Sequence, residues 1–250
     1  MTTHEFEVRD QITVDATPDQ VWDAIATGPG VDAWFMGRTE FEAREGGRVA
    51  QTMGPDTFHS TITAYEPGRR LAYRSDPAQD GTFMAFEYLI EGRAGGSTTV
   101  RVVHSGLLSG DDWESEYDAL KQGDPMYLQQ LAAYLKHFGG ATLAHSVFAV
   151  GPQEKDSARV WSTFGSALGL SGPVTRGAAV SLTVDGLERA NGVVEFVAPS
   201  YVLVRTDEGL YLLMHGYHDT IVVEYHGYAG EQGDEELQRA WQSWLTKAFA

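Results

Sequence analysis

The chain has 250 residues, 42% of them hydrophobic, no cysteine and a formal net charge of −17. Such a composition can build one large core or two ordinary ones, and it excludes a disulfide framework, a thiol nucleophile and a thiolate metal site. Acidic residues outnumber basic ones in both halves, so the cationic patch that nucleic acid requires is missing and anionic membrane surfaces are disfavoured.

No apolar run approaches the roughly 18 residues of a membrane helix, and "MTTHEFEVRD" lacks the basic start and apolar stretch of a secretory signal. The expectation is no membrane span and a cytoplasmic location. The acidic surface is a candidate contact for a basic protein partner.

From residue 5 to 15 the chain alternates. Phe6, Val8, Ile12 and Val14 share one face of a half-buried strand, with Asp10 as a polar exception on it. Thr17 then stands as an N-cap, Pro18 at the first helical position and Gln20 where a capping box places Glu or Gln. Val21, Trp22 and Ile25 form an apolar stripe, and Gly28-Pro29-Gly30 ends this helix. A second short turn carries Val31, Trp34 and Phe35. Strands follow at "RTEFEA", "FHSTITAY" and "RLAYR", with Gly46-Gly47 as a turn or bulge; Phe58, Ser60, Ile62 and Ala64 are placed on one side.

"TFMAFEYLIE" and "STTVRVVHSG" alternate around the turn "RAGG". Hairpin parity pairs 90 with 100, 88 with 102 and 86 with 104, leaving Met84, Phe86, Tyr88, Val102 and His104 on a shared face. The closing helix is interrupted at Gly123 and Pro125. It then carries Leu128, Leu131, Leu135 and Phe138 as a core stripe to Gly139-Gly140. The pattern is an α+β domain whose antiparallel sheet has one apolar face for the long helix to cover.

"ITVDATPDQVWDAIATGPGVDAWF" and "GDPMYLQQLAAYLKHF" resemble the helix-grip superfamily (START-like, SRPBCC), and within it domains related to the activator of the heat-shock-90 ATPase. Ala16, Val21-Trp22, Trp34, Gly123 and Met126 carry the likeness over residues 5–138. It implies a cavity between helix and sheet for a lipid-like or aromatic molecule, without a shared catalytic set. The second half reads as a shortened copy. Val160-Trp161 matches Val21-Trp22, "VEFVAPSYVL" matches "ITAYEPGRRL" (Leu203 on Leu71), "TIVVEYHGY" matches "TTVRVVHSG" (His226 on His104), and Leu245 matches Leu135. Two helix-grip domains are therefore expected, at 1–140 and 141–250, packed about a pseudo-twofold axis. The second has a first strand broken at Gly151-Pro152 and a short final helix.

The expected function is binding of a small hydrophobic molecule in the first domain, without catalysis. The lining is Trp34, Phe35, Met84, Phe86, Tyr88, His104, Tyr127, Leu131 and Tyr134. Trp34 and Phe35 read either as a core plug or as a gate hinged on Gly28 and Gly30. His104 and Asp10, polar on apolar faces of adjoining strands, read as a buried register pair or a ligand anchor. As an acid–base pair they would serve a cyclase-like or hydrolase-like enzyme. A chaperone-associated interaction module is the third reading. His215, His218, Asp219, Glu224 and His226 are metal-ligand types, but a hairpin turning at 216–219 holds His226 far from His215, and no metal is expected. No nucleotide-binding loop or nucleophile elbow occurs, and no cofactor is expected.

Overall fold

Period-two alternation builds the first strand, β1 (Thr3–Val14), and the capping box starts the first helix, α1 (Pro18–Ala26). Thr17 Oγ1 accepts from the Gln20 amide at 3.3 Å, and Gln20 Oε1 accepts from the Thr17 amide at 2.9 Å. Helix α1 ends one residue before the Gly-Pro-Gly. Those three residues open α2 (Gly28–Asp32), because Thr27 caps its first turn through Gly30 N at 3.0 Å and proline suits that turn. Then come β2 (Arg38–Phe41), β3 (Arg48–Met53), β4 (Asp56–Glu66), β5 (Arg70–Ser75), β6 (Phe83–Gly92), β7 (Thr98–Ser109) and α3 (Trp113–Phe138).

The computed structural model describes residues 3–93, 95–230 and 232–250. It divides into two units, Met1–Thr142 and Leu143–Ala250. Ala94, in the expected turn between β6 and β7, lies outside the described residues.

In the first unit seven antiparallel strands run in the order β1-β7-β6-β5-β4-β3-β2. The β6–β7 register pairs Ile90 with Val100, Tyr88 with Val102 and Phe86 with His104, as parity requires. β1 closes the edge with Val8 opposite His104 and Asp10 opposite Val102. A bulge at Thr63 shifts the β4–β5 register, so Tyr65, not Ala64, returns to the face of Ile62. Helix α3 differs from expectation: it runs unbroken for 26 residues with Pro125 inside. Proline has no N–H for the Lys121 carbonyl. The burial of Met126, Leu128, Leu131 and Leu135 on the C-terminal side holds the helix together across that defect.

The second unit repeats the plan with β8 (His145–Gln153), α4 (Ser157–Ala167), β9 (Ala179–Leu182), β10 (Ala190–Val197), β11 (Tyr201–Thr206), β12 (Gly209–His215), β13 (Thr220–Gly227) and α5 (Asp234–Ala248). Its strand order is β8-β13-β12-β11-β10-β9. β8 does not break at Gly151-Pro152. It bulges there, between the Val150–Val222 and Gln153–Thr220 pairs, and as an edge strand it tolerates the missing donor of Pro152. The β10–β11 hairpin shifts register between Val194 and Phe196, the positions matching Ile62 and Ala64. A shared bulge at a matched position supports duplication more directly than sequence likeness does.

Register also corrects two matches. The N-caps Thr17 and Asp156 correspond, which places Val147 on Val8. Val8 opposes His104 while Val147 opposes Tyr225, so the counterpart of His104 is Tyr225 rather than His226. Tyr65 pairs with Leu71 and Val197 with Val202, so Leu71 corresponds to Val202, not Leu203. Each slip of one residue turns a side chain to the opposite face. His226 and Glu224 alternate away from Val223 and Tyr225, which join the helix-facing core.

Candidate ligand cavity

The first unit encloses a cavity of about 940 Å³, within the range of small-molecule sites. Its floor is the inner face of β3 to β7. The N-terminal half of α3 roofs it, presenting Glu116, Leu120, Gly123, Asp124, Tyr127 and Leu128 at helical spacing. The far wall is α2 and the turn after it. Trp34 is only 3% exposed, and its indole Nε1 donates to the Ala24 carbonyl at 2.8 Å. Phe35 lies 5.5 Å from Trp34 and 4.5 Å from Tyr127, ring centre to ring centre.

Trp34 is thus a fixed wall. The glycines beside it allow close approach, not hinging. A β-carbon at Gly28 would sit 2.2 Å from the Thr39 carbonyl oxygen, and one at Gly30 would sit 1.9 Å from that of Asp23.

Seven of the nine expected lining residues face the cavity: Trp34, Phe35, Met84, Phe86, Tyr88, His104 and Tyr127. Leu131 and Tyr134 do not. Leu131 is completely buried in the core beside the cavity, and the Tyr134 hydroxyl donates to the Ala141 carbonyl at 3.1 Å.

His104 stands on β7, at the side of the floor nearest β1. Phe86 stacks on it at 4.0 Å, and Phe6 meets it edge-on at 5.2 Å. Its Nδ1 lies 3.1 and 3.0 Å from the two oxygens of Asp124, and its Nε2 lies 3.4 Å from the Met84 sulfur. The carboxylate that orients this imidazole is therefore Asp124 of α3, not Asp10. Asp10 is two residue pairs further along the sheet, opposite Val102, and does not line the cavity. Partial burial, and then the charge of Asp124, raise the pKa of Asp10 above the ordinary carboxylate value.

Tyr73 completes the polar group. Its ring lies 6.3 Å from that of Tyr88, and burial pushes its pKa up to about 12. Burial also raises Tyr88 well above the usual phenol range, with Asp124 adding to the shift in both. Both tyrosines remain neutral hydrogen-bonding groups.

Asp124 and Tyr73 are polar cavity-lining residues missing from the expected set. Tyr73 is legible as the alternate of Leu71 in "RLAYR". Asp124 falls on the stripe Leu120, Asp124, Tyr127, Leu131, which becomes visible once Pro125 is read as lying within the helix.

At the metal-type cluster, His215 opposes Ile221 and Leu210 opposes His226. No group of three potential ligands close enough to hold a metal occurs among the described residues. The second unit carries its own pocket of about 640 Å³, between α4 and the β10–β11 hairpin. In the first unit the equivalent Trp22 meets the ring of Tyr65 at 5.1 Å; in the second the partner position of Trp161 is Val197, and the missing ring leaves space.

No helix among the described residues is long and apolar enough to cross a membrane. The model of the polyketide cyclase/dehydrase and lipid transport family matches residues 5–135, slightly more than half of the chain. No curated protein matches it. Among solved structures, the di-domain aromatase/cyclase BexL of the BE-7585A biosynthetic pathway is 12% identical, over 90% of this chain and 85% of its own, with a TM-score of 0.48. The Aha1 dimer from Colwellia psychrerythraea is 16% identical over 54% and 98%, with a TM-score of 0.45. CalU16 from Micromonospora echinospora is 20% identical over 54% and 87%, with a TM-score of 0.40. With its sheet, its covering helix and the matched span coinciding in the first unit, the chain belongs to the polyketide cyclase/dehydrase and lipid transport family.

Proposed function

We propose that the first unit binds a small, largely apolar molecule, lipid-like or aromatic, without transforming it. The observation that carries this reading is the cavity of about 940 Å³ inside the span matched to a lipid-transport and cyclase family. Burying apolar ligand surface at roughly 25 cal/mol/Å² supplies the affinity, and the polar group around His104 orients the guest.

An acid–base enzyme is the second reading, favoured by the imidazole–carboxylate pair of His104 and Asp124. The nitrogen left for a substrate, Nε2, is covered by Met84, and the His104 side chain is 3% exposed. A proton-transfer catalyst needs that atom within reach of its substrate, so the pair serves better as an anchor than as a base.

Gly123 provides the test. It lies on the cavity-facing stripe of α3, and a β-carbon there meets nothing within 4 Å. Gly123→Phe fills the space while replacing the helix's glycine, which costs about 1 kcal/mol relative to alanine. The variant is expected to keep its thermal midpoint and to lose at least about tenfold of its affinity for the neutral fluorophore phenylnaphthylamine, measured by fluorescence titration. Unchanged uptake by a folded Gly123→Phe protein would sink the reading. Native mass spectrometry of freshly purified wild type would then identify any resident molecule.

A further inference from the structure

We infer that the polar end of the guest is a protonated amine, not a carboxylate or phosphate. The inference rests on the binding reading above and specifies which apolar molecules the cavity accepts.

The ionisable residues lining the cavity are Asp76, Asp80, Glu116 and Asp124, with His59 and His104; no Lys or Arg is among the described lining residues. Two of the four carboxylates are already engaged at the rim. Asp76 pairs with Arg48 at 2.6 Å, and Asp80 accepts from Ser109 and Thr82. Asp124 differs. Its side chain is 14% exposed, and both of its oxygens share the single Nδ1 of His104. A carboxylate has about four lone-pair sites, so one shared N–H leaves most of its accepting capacity unused.

Other charges nearby do not offset it. Lys121, one turn back on α3, is turned to Asp118 at 3.2 Å and lies over the Tyr117 ring. From the sheet, Asp10 adds a second carboxylate, and Tyr73 and Tyr88 are neutral. An anionic head group here would lose its water and meet like charge. An ammonium brings three N–H donors to a site rich in acceptors. Phe86, Tyr88, Tyr127 and Phe35 add ring faces, which attract cations and not anions.

The test compares three molecules with one tail: decylamine, decanol and decanoic acid, each below its aggregation threshold, displacing phenylnaphthylamine from the full chain near neutral pH. High salt is used throughout, because it screens the field of the net charge of −17 while leaving desolvated pairs largely intact. Decylamine is expected to displace the fluorophore at a concentration at least about tenfold below that of decanoic acid, with decanol between. In Asp124→Asn the gap between amine and acid is expected to shrink to a few-fold. A wild-type ranking with the acid equal to or tighter than the amine overturns the inference, whatever the variant does. So does a wild-type gap that persists in a folded Asp124→Asn. The two readings fail separately. If the fluorophore is not taken up, or Gly123→Phe does not expel it, the binding reading falls. If uptake is normal and the ranking flat or reversed, only the head-group assignment falls.

Discussion

The two units share a plan and differ in what fills it. Leu135 and Leu245 match across 110 residues, so α5 (Asp234–Ala248) corresponds to residues 124–138 of α3. What the second unit lacks is the segment equivalent to 113–123, which supplies Glu116, Leu120 and Gly123 to the cavity roof. The helix-facing side of the sheet differs correspondingly. Asp10, Tyr73, Tyr88 and His104 occupy register positions that hold Ala149, Val204, Leu213 and Tyr225 in the second unit. All four of the latter lie in its buried core. Duplication conserved the strands and the bulge, while a shorter helix and an apolar sheet face filled the space over β12 and β13 and left the second unit a smaller pocket between α4 and the β10–β11 hairpin.

The comparison predicts where truncation hurts. Trp241 is completely buried at the position of Leu131, and it packs against Tyr211 and Trp244. Trp241→Ala is expected to cost about 3–5 kcal/mol. Leu120→Ala, at a half-buried residue that lines the cavity and packs only partly against the Phe6–Val8–Leu108 cluster, is expected to cost less, about 1–2 kcal/mol. Urea unfolding of both variants checks the pair. Equal losses would mean that the roof bears as much of the fold as the core does.

Most of the frame was legible from one sequence. Period-two alternation and hairpin parity placed β6 against β7 correctly, since a slip of one residue would expose a whole apolar face. The capping box located α1 for an equally local reason. Legibility failed where long-range packing overrides a local signal. Pro125 reads as a break, yet tertiary burial of Met126 and Leu128 carries the helix through it. That misreading hid Asp124, and with it the partner of His104. The pairing of His104 with Asp10 used strand adjacency alone, whereas the carboxylate arrives from a helix whose docking no local pattern reports. Gly28 and Gly30 suggested a hinge, because sequence cannot distinguish a glycine needed for freedom from one needed for closeness.

The halves of α3 should also differ in dynamics. Residues 126–135 are largely buried; residues 113–123 are exposed or half-buried, with Trp113, Tyr117 and Leu120 on the small Phe6–Val8–Leu108 cluster and the rest over the cavity or solvent, and the Lys121 carbonyl has no partner N–H at Pro125. Local opening free energy follows buried contacts. Amides at 114–122 are therefore expected to exchange with deuterium at least about tenfold faster than those at 128–135, and to slow when phenylnaphthylamine is bound. Uniform protection along α3 would show that roof and core open together, and would remove the distinction on which the comparison with α5 depends.

The smallest effect concerns Asp10, whose counterpart is Ala149. The folded pKa of Asp10 is raised, by burial first and by Asp124 second. The folded state therefore holds this proton more tightly than the unfolded chain does. The group's contribution to stability is most favourable when protonated, and it declines as pH rises from the ordinary value of 3.8 through the raised folded value. Above that value the loss is complete and constant. Asp10→Asn cannot ionise, so the variant's thermal midpoint minus that of the wild type should climb with pH across this window and then level off. Asp76 and Asp80, whose pKa values are lowered by their hydrogen bonds, impose the opposite slope on both proteins and cancel in the difference. A difference that falls with pH would mean that Asp10 gains more from a partner in the folded state than burial costs it, and the helix-facing side of the first unit's sheet would then be balanced in charge where the second unit's is merely apolar.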